Sequence, residues 1–146
     1  KMIAVSHFSK GSITNSAFIS CGNDGLDFSG SVVIMKDVSV VEAGDKALSV
    51  GEESVLIVDE FFINKSFIGI ASKDSSEVTL TAPTIQGVQY TYAAYQKKSE
   101  YGPATIEIIK GVEEYTTLIE KGSKLIYNEK TLEGKEKKVY EQLYEQ

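Results

Sequence analysis

The chain has 146 residues, which is the length of one domain, and 42% of them are hydrophobic. Its formal net charge is −6 and all 15 basic residues are lysines, so we expect no nucleic-acid binding, which relies heavily on arginine. No apolar run approaches the ~20 residues of a membrane-spanning helix, so we expect no membrane insertion. The single cysteine, Cys21, excludes an internal disulfide, and the single histidine, His7, is too little for a histidine-based metal site.

A repeat with a period of 22 residues runs through most of the chain. It is clearest in the apolar series Leu26, Leu48, Ile70 and Tyr92. The positions two residues later keep the same interval (Phe28, Val50, Ser72 and Ala94). A fixed period of ~20–50 residues is typical of stacked-repeat architectures, in which neighbouring repeats share one continuous core.

We predict five coils followed by a partial turn. The coils span residues 7–30, 31–53, 54–76, 77–103 and 104–123, and the partial turn spans 124–133. They open with the strand-like runs SITNSAFI, SVVIMKDVSV, SVLIVDEFFI, EVTLTA and ATIEIIKGV, and the first four continue into GLDF, ALSV, GIAS and YAAY. Short runs rich in Val, Ile, Phe and Tyr, bounded by Gly, Asn, Asp and Ser, indicate strands and not helices.

The C-terminal segment departs from this pattern. Val139 and Leu143, like Tyr140 and Tyr144, are four residues apart with charged residues between them. This spacing predicts an amphipathic helix at residues 135–145, which we expect to cover the last coil. The strand-like opening KMIAVSHFSKGSIT predicts that the single domain 1–146 belongs to a longer protein.

Coils of about 22 residues with two or three short strands resemble the β-helix repeats of the pectate-lyase-like superfamily, over roughly residues 7–130. The stack from Leu26 to Tyr92, with Gly, Asn or Asp corners before its members, carries the resemblance. It implies an all-β, right-handed parallel β-helix of about five coils with a short C-terminal helix. It also implies an extracellular or cell-surface location, but it transfers little about chemistry.

Small residues are expected on the outer side of the second strand in each coil. They are Asp27, Ser49, Ala71 and Ala93, next to Gly25, Ala47, Gly69 and Thr91. We interpret this strip as the flat floor of a groove for an extended ligand; alternatively, a loop of the same protein covers it. The flanking residues predicted to contact the ligand are Asp24, Asp27, Asp45, Lys46, Lys73, Asp74, Tyr95, Lys97, Lys98 and Tyr101. Within this set we expect the main ligand contacts to come from Lys97, Lys98 and Tyr101. They lie in the segment 96–103, which lengthens its coil, and such insertions often form the binding face.

The leading interpretation is a non-catalytic domain that binds a polysaccharide or acts as an adhesive scaffold, with no cofactor, metal or catalytic residue. The alternative is a carbohydrate-active enzyme. It would pair Asp24 with Asp27 or Asp45 for glycoside hydrolysis, or use Lys73 or Tyr95 as the base of a β-elimination. The lack of arginine counts against a lyase of this superfamily, and a calcium site at the three aspartates is a weaker hypothesis. A third interpretation is a structural module that forms homo-oligomers through its coil ends or its helix.

Overall fold

The computed structural model describes residues 3–5, 9–112 and 114–145, which form a parallel β-solenoid of about 5 turns. The predicted all-β class, the period of about 22 residues and the short C-terminal helix are confirmed. His7 lies outside the described residues. In chain order the elements are β1 (Ile3–Val5), β2 (Lys10–Cys21), β3 (Leu26–Ser29), β4 (Val32–Ala43), β5 (Lys46–Gly51), β6 (Val55–Lys73), β7 (Glu77–Thr81), β8 (Thr84–Tyr95), β9 (Thr105–Ile109), β10 (Thr117–Ile119), β11 (Lys124–Tyr127), β12 (Lys130–Glu133) and α1 (Val139–Tyr144).

Left-handed backbone conformations bend the long strands and give the coils three sides. One corner is formed by Asn15, Asp37, Glu60, Ala82, Lys110 and Asn128, with φ from 46° to 56°. A second corner is formed by Ser20, Glu42, Lys65 and Gly87, and a third by Gly30, Glu52 and Asp74. Gly, Asn and Asp accept this conformation readily, whereas at Glu60, Ala82 and Lys110 the contacts of the stacked coils must offset its cost.

Two of the three sides, the open face and the helix face, differ in what lies against them. The open face consists of residues 10–14, 32–36 and 55–59 with β7, β9 and β11, all in parallel register. The helix face consists of β3, β5, residues 68–73 and 90–95, and β10.

The core lies between the sides and follows the sequence repeat. Leu26, Leu48, Ile70 and Tyr92 are successive register partners and are at most 2% exposed. The apolar series in the sequence is therefore the spine of the core. Cys21 is a buried part of the same core.

The C-terminal end of the solenoid is covered by a hairpin and not by the helix. β12 pairs antiparallel with β11, and Glu136 forms a bridge with Glu120. The expectation that the helix covers the last coil holds only in part: α1 contacts Leu118 of that coil, but it runs along the side of the solenoid, on the helix face, and not over the open end. It is also shorter than predicted, at 6 residues.

Candidate ligand-binding site

The strip of small residues lies beneath α1. Asp27, Ser49, Ala71 and Ala93 are consecutive partners on the helix face, and all but Asp27 are 0% exposed. Val139, Tyr140 and Leu143 belong to one hydrophobic cluster with Ala71 and Ala93. The prediction of an exposed groove floor is therefore wrong. The small side chains provide the space into which the helix packs.

The neighbouring row of small residues serves close packing of the coils. Gly25, Ala47 and Gly69 are buried. A Cβ atom at Gly25 would lie 2.7 Å from the carbonyl oxygen of Ala47, and one at Gly69 would lie 2.7 Å from that of Thr91. At Gly25 and Gly69 a larger side chain would collide with the next coil, and the buried row presents no surface to a ligand.

The Glu120 carboxylate ties the beginning of α1 to the coils. Its Oε2 accepts a hydrogen bond from the Val139 N–H at 2.9 Å, and its Oε1 accepts one from the Gln96 N–H at 3.1 Å. One side chain therefore fixes both the helix and the first residue of the long loop at 96–103.

A pocket of about 190 Å³ lies between α1 and the adjoining coil corners. We call it the lysine pocket; its lining residues are Asp45, Lys46, Lys73, Tyr95, Lys97, Tyr140 and Tyr144. Five of the ten residues predicted to contact a ligand therefore meet here (Asp45, Lys46, Lys73, Tyr95 and Lys97). They meet beside the helix and not along the strip.

Lys46 is the neutralised cation of the pocket. Its Nζ lies 2.5 Å from Asp45 Oδ2 and 3.3 Å from Asp24 Oδ1, and it donates a hydrogen bond to the Tyr144 hydroxyl at 3.2 Å. Burial opposes its charge, but the hydrogen bond to Asp45 and the charge of Asp24 outweigh burial and raise the pKa of Lys46 above its ordinary value. The ammonium group thus occupies the place between Asp24 and Asp45 that a calcium ion would need. Across the described ranges, no three His, Cys, Asp or Glu residues converge as metal ligands.

Lys73 is the uncompensated cation of the pocket. Its side chain passes over Gly51, where a Cβ atom would lie 3.5 Å from Lys73 Cε. Within the described part of the chain its amino group forms neither an ion pair nor a hydrogen bond. Burial, together with the charges of Lys46 and Lys97, lowers the pKa of Lys73, and the charges of Asp27 and Asp24 offset this only in part.

Lys97 reaches the pocket from the long loop, with its Nζ 5.3 Å from the centre of the Tyr140 ring. The backbone of the loop is fixed by Asp74, whose Oδ1 accepts the N–H groups of Lys97 and Lys98 at 2.7 and 2.8 Å. Asp74 is only 2% exposed, so its carboxylate shapes this loop and is not available to a ligand. The prediction of a ligand contact at Asp74 therefore does not fit its position.

Lys98 and Tyr101 do not line the lysine pocket. Lys98 forms an ion pair with Glu52 through a short hydrogen bond, and this bond lowers the pKa of the Glu52 carboxyl. Limited burial and the charge of Glu52 raise the pKa of Tyr101. The three residues expected to act together are thus divided, and only Lys97 faces the pocket.

The three remaining candidates are Tyr95, Asp24 and Asp27. Tyr95 is 1% exposed and burial raises its pKa well above the usual range, which makes its phenol a poor base. Asp24 is bound to Lys46, so it is not a free partner for a second catalytic carboxylate. Asp27 is half-buried and lies outside the pocket, next to Ser49. The Ser49 hydroxyl is the one buried side-chain polar group in the described residues that has no hydrogen-bond partner.

Sequence reasoning did not include Tyr140 and Tyr144 in the site. The Tyr144 hydroxyl donates to the Asp45 carboxylate, at 3.0 and 3.1 Å from its two oxygens. These residues are 99 positions apart, so no local pattern could bring them together. The available signal was the pair of tyrosines four residues apart on the predicted helix.

No protein family, curated protein or solved structure matches the chain. The parallel β-solenoid is thus defined by the structure itself, and no family match supports the pectate-lyase-like superfamily in particular. No helix in the described part of the chain is long and apolar enough to cross a membrane.

Proposed function

We propose that the lysine pocket binds an acidic sugar unit of a polysaccharide and that the domain is a non-catalytic glycan-binding module. The observation that carries the proposal is the convergence of three lysine side chains with two helix tyrosines in one pocket. Lys73 forms no ion pair with any residue that the structure describes, so a carboxylate or sulfate group would supply a direct charge partner.

The size of the pocket favours a single sugar unit over a buried oligosaccharide. Its volume of about 190 Å³ is below the ~300–1,000 Å³ of sites that enclose a drug-sized ligand. The remainder of the polymer would lie on the surface, alongside the loop at 96–103. Tyr140 would offer the sugar an apolar ring face, and Tyr144 and Asp45 would offer hydrogen-bonding groups.

Two finer assignments belong to the same proposal. We place the chain with the secreted or surface-exposed β-helices of the pectate-lyase-like superfamily, and we infer an adhesive or glycan-anchoring role for it. The support is the solenoid with its 22-residue period, which is a likeness of architecture.

Calorimetric titration with uronic-acid polymers, sulfated polymers and neutral polymers tests the proposal. We expect acidic polymers to bind and neutral ones not to bind, with affinity falling as salt rises because the contact is ionic. Lys73→Met and Lys97→Met should each weaken binding by ~10-fold, since a charge-assisted contact to the ligand is lost.

Two matched variants control for a general loss of positive charge. Lys121→Met removes a lysine that is exposed in a turn and does not line the pocket, and Lys98→Met removes one already paired with Glu52. Both should bind like the wild type. Equal losses in all four variants, or equal binding of neutral polymers, would refute recognition at the lysine pocket.

The lowered pKa of Lys73 also supports a second candidate, a polysaccharide lyase. The neutral Lys73 amine would take the proton next to the sugar carboxylate, and Lys97 would stabilise the negative charge that develops there. The bond from the neighbouring carbon to the leaving oxygen then breaks and a carbon–carbon double bond forms. The leaving oxygen takes up the proton from the Lys73 ammonium group, which restores the neutral amine.

Ultraviolet absorbance of the unsaturated product separates the two candidates. A lyase releases it from an acidic polymer at a rate that rises with pH as Lys73 loses its proton, and Lys73→Met abolishes the release. Binding without any unsaturated product leaves the non-catalytic module as the function.

A further inference from the structure

The open face carries an exposed patch of four branched aliphatic side chains. We call Val32, Ile34, Val55 and Ile57 the aliphatic patch; they are 36% to 55% exposed. Val32 is the register partner of Val55, and Ile34 is that of Ile57, so the four form a two-by-two block on adjacent strands. Exposed aliphatic side chains in a contiguous block indicate an interaction site, whereas isolated ones need no explanation.

The strands beneath the patch are apolar on both sides. Between the patch residues, Val33, Met35, Leu56 and Val58 point inward and are at most 3% exposed. Strands that are apolar on both sides are typical of sheets covered on both faces. On the helix face the cover is α1, but no described residue covers the aliphatic patch.

Charged residues surround the patch in an ordered way. Lys10 precedes Val32 in the ladder and Glu77 follows Val55, so opposite charges stand on the two sides of the block. Along the strands, Lys36 and Asp59 lie next to each other, two residues beyond Ile34 and Ile57. None of these four charged groups forms an ion pair with another described residue.

We propose that the aliphatic patch is the interface of a two-fold symmetric homodimer. A two-fold axis parallel to the strands, midway between β4 and β6, brings the open faces of two copies together with antiparallel solenoid axes. Val32 then meets Val55 of the second copy, and Ile34 meets its Ile57. The same operation brings Lys10 to Glu77 and Lys36 to Asp59 in the second copy. Every apolar and charged position thus finds a matching partner, as a self-complementary interface requires.

The footprint indicates a weak dimer. Four strands ~4.8 Å apart and five residues of ~3.3 Å each cover roughly 300 Å² per protomer. This is below the ~800 Å² per partner of a standard stable interface, so we expect the dimer to dissociate in dilute solution. Such a dimer would form at high local concentration and would give two glycan sites on one particle, which increases avidity.

Sedimentation velocity over a concentration series tests the dimer without any ligand. The wild type should change from monomer to dimer as its concentration rises toward ~1 mM. Ile57→Lys places two like charges in the centre of the interface and should remove the dimer. The matched control Ile109→Lys changes an exposed isoleucine of the same face outside the patch, 42% exposed, and should leave the dimer intact.

A charge swap tests the two-fold arrangement itself. Lys10→Glu and Glu77→Lys should each weaken the dimer by ~5-fold or more, because like charges then face each other twice. The double variant exchanges the two charges and should restore wild-type association, a result expected only where residue 10 of one copy faces residue 77 of the other. Should Ile57→Lys fail to fold by circular dichroism, Ile34→Ser and the swap variants carry the test.

Three outcomes would overturn the proposal. They are a monomer at every concentration, a dimer unaffected by Ile57→Lys, and a double-swap variant that stays as weak as the single ones. Binding to phospholipid vesicles by a monomeric wild type would assign the patch to a membrane instead. All these outcomes are independent of glycan binding at the lysine pocket.

Discussion

The helix face and the open face differ in whether their outward-facing apolar side chains are covered. Both are outer surfaces of one solenoid and both carry apolar side chains. On the helix face the outward-facing register partners Ser49, Ala71 and Ala93 have small side chains. A helix of the same chain packs into the space that they leave. On the open face the corresponding positions are Val and Ile, which protrude and are left exposed. A stripe of small residues on a solenoid thus marks a face that the chain covers itself.

The largest expected effect comes from breaking the cover on the helix face. Val139 is 0% exposed between α1 and the coils, so Val139→Asp would bury an unpaired carboxylate. We expect the helix to detach at a cost of about 3 kcal/mol in the free energy of unfolding, measured by urea denaturation. The pocket should be lost with it, because Tyr140 and Tyr144 belong to the helix.

The matched substitution on the open face is Ile57→Asp. Its side chain is already 54% exposed, so stability in dilute solution should change by no more than about 0.5 kcal/mol. A loss similar to that of Val139→Asp would show that the two faces do not differ in cover.

A smaller effect follows from filling the space beneath the helix. Ala93→Leu adds bulk where α1 already packs closely, and we expect a loss of about 2 kcal/mol from overpacking. Thr79→Leu, on the half-buried outer side of β7, is the control and should be neutral within about 0.5 kcal/mol. Hydrogen exchange would place the loss: amides of α1 should lose protection before those of the core strands. Uniform loss across all strands would contradict local undocking.

The fold could be predicted because its signal recurs along the sequence. The series Leu26, Leu48, Ile70 and Tyr92 revealed the coil length, and the structure places these residues in register. Alternation within short strands identified the inward positions. The left-handed corners could be predicted from the sequence only in part. Asn15 and Asp37 are residue types common in that conformation, whereas Glu60 and Lys110 adopt it because the stacked coils impose it.

The site was harder to predict because it depends on contacts between distant residues. Alternation correctly placed Ala71 and Ala93 on the outside of the sheet, but it carries no information about what covers them. Six helical residues at the C-terminus decide whether that strip is exposed or buried. The same packing buries Tyr95 and adds Tyr144 to the pocket. Lys98 could be separated from Lys97 only once the fold placed Glu52 beside it.

A third prediction concerns the polar contact between the helix and the coils. Tyr144→Phe removes the hydroxyl that donates to Asp45 and accepts from Lys46. Because this group is partly exposed, we expect a loss of about 1 kcal/mol in unfolding free energy. Tyr101→Phe is the control, since it changes a tyrosine away from the helix, and its stability should equal that of the wild type. An unchanged Tyr144→Phe would mean that apolar packing alone holds the helix.

The smallest expected effect tests the uncompensated charge of Lys73 through its pH dependence. The pKa of Lys73 is lowered in the folded protein from an ordinary value of 10.5, so above the folded pKa the unfolded chain binds more protons than the folded one. The charge therefore destabilises the fold fully below the folded pKa, and stability from this group rises with pH up to about 10.5. Lys73→Met should then melt at a higher temperature than the wild type near pH ~7, with the difference shrinking toward alkaline pH. Comparison with the variant at each pH removes the contributions of the buried tyrosines, which both proteins share.

A saturating acidic polymer should reverse the order of the two melting temperatures, since only the wild type gains an ion pair. If Lys73→Met were less stable than the wild type at every pH, the charge of Lys73 would already be balanced within the protein. The argument that the pocket binds an anion would then fail.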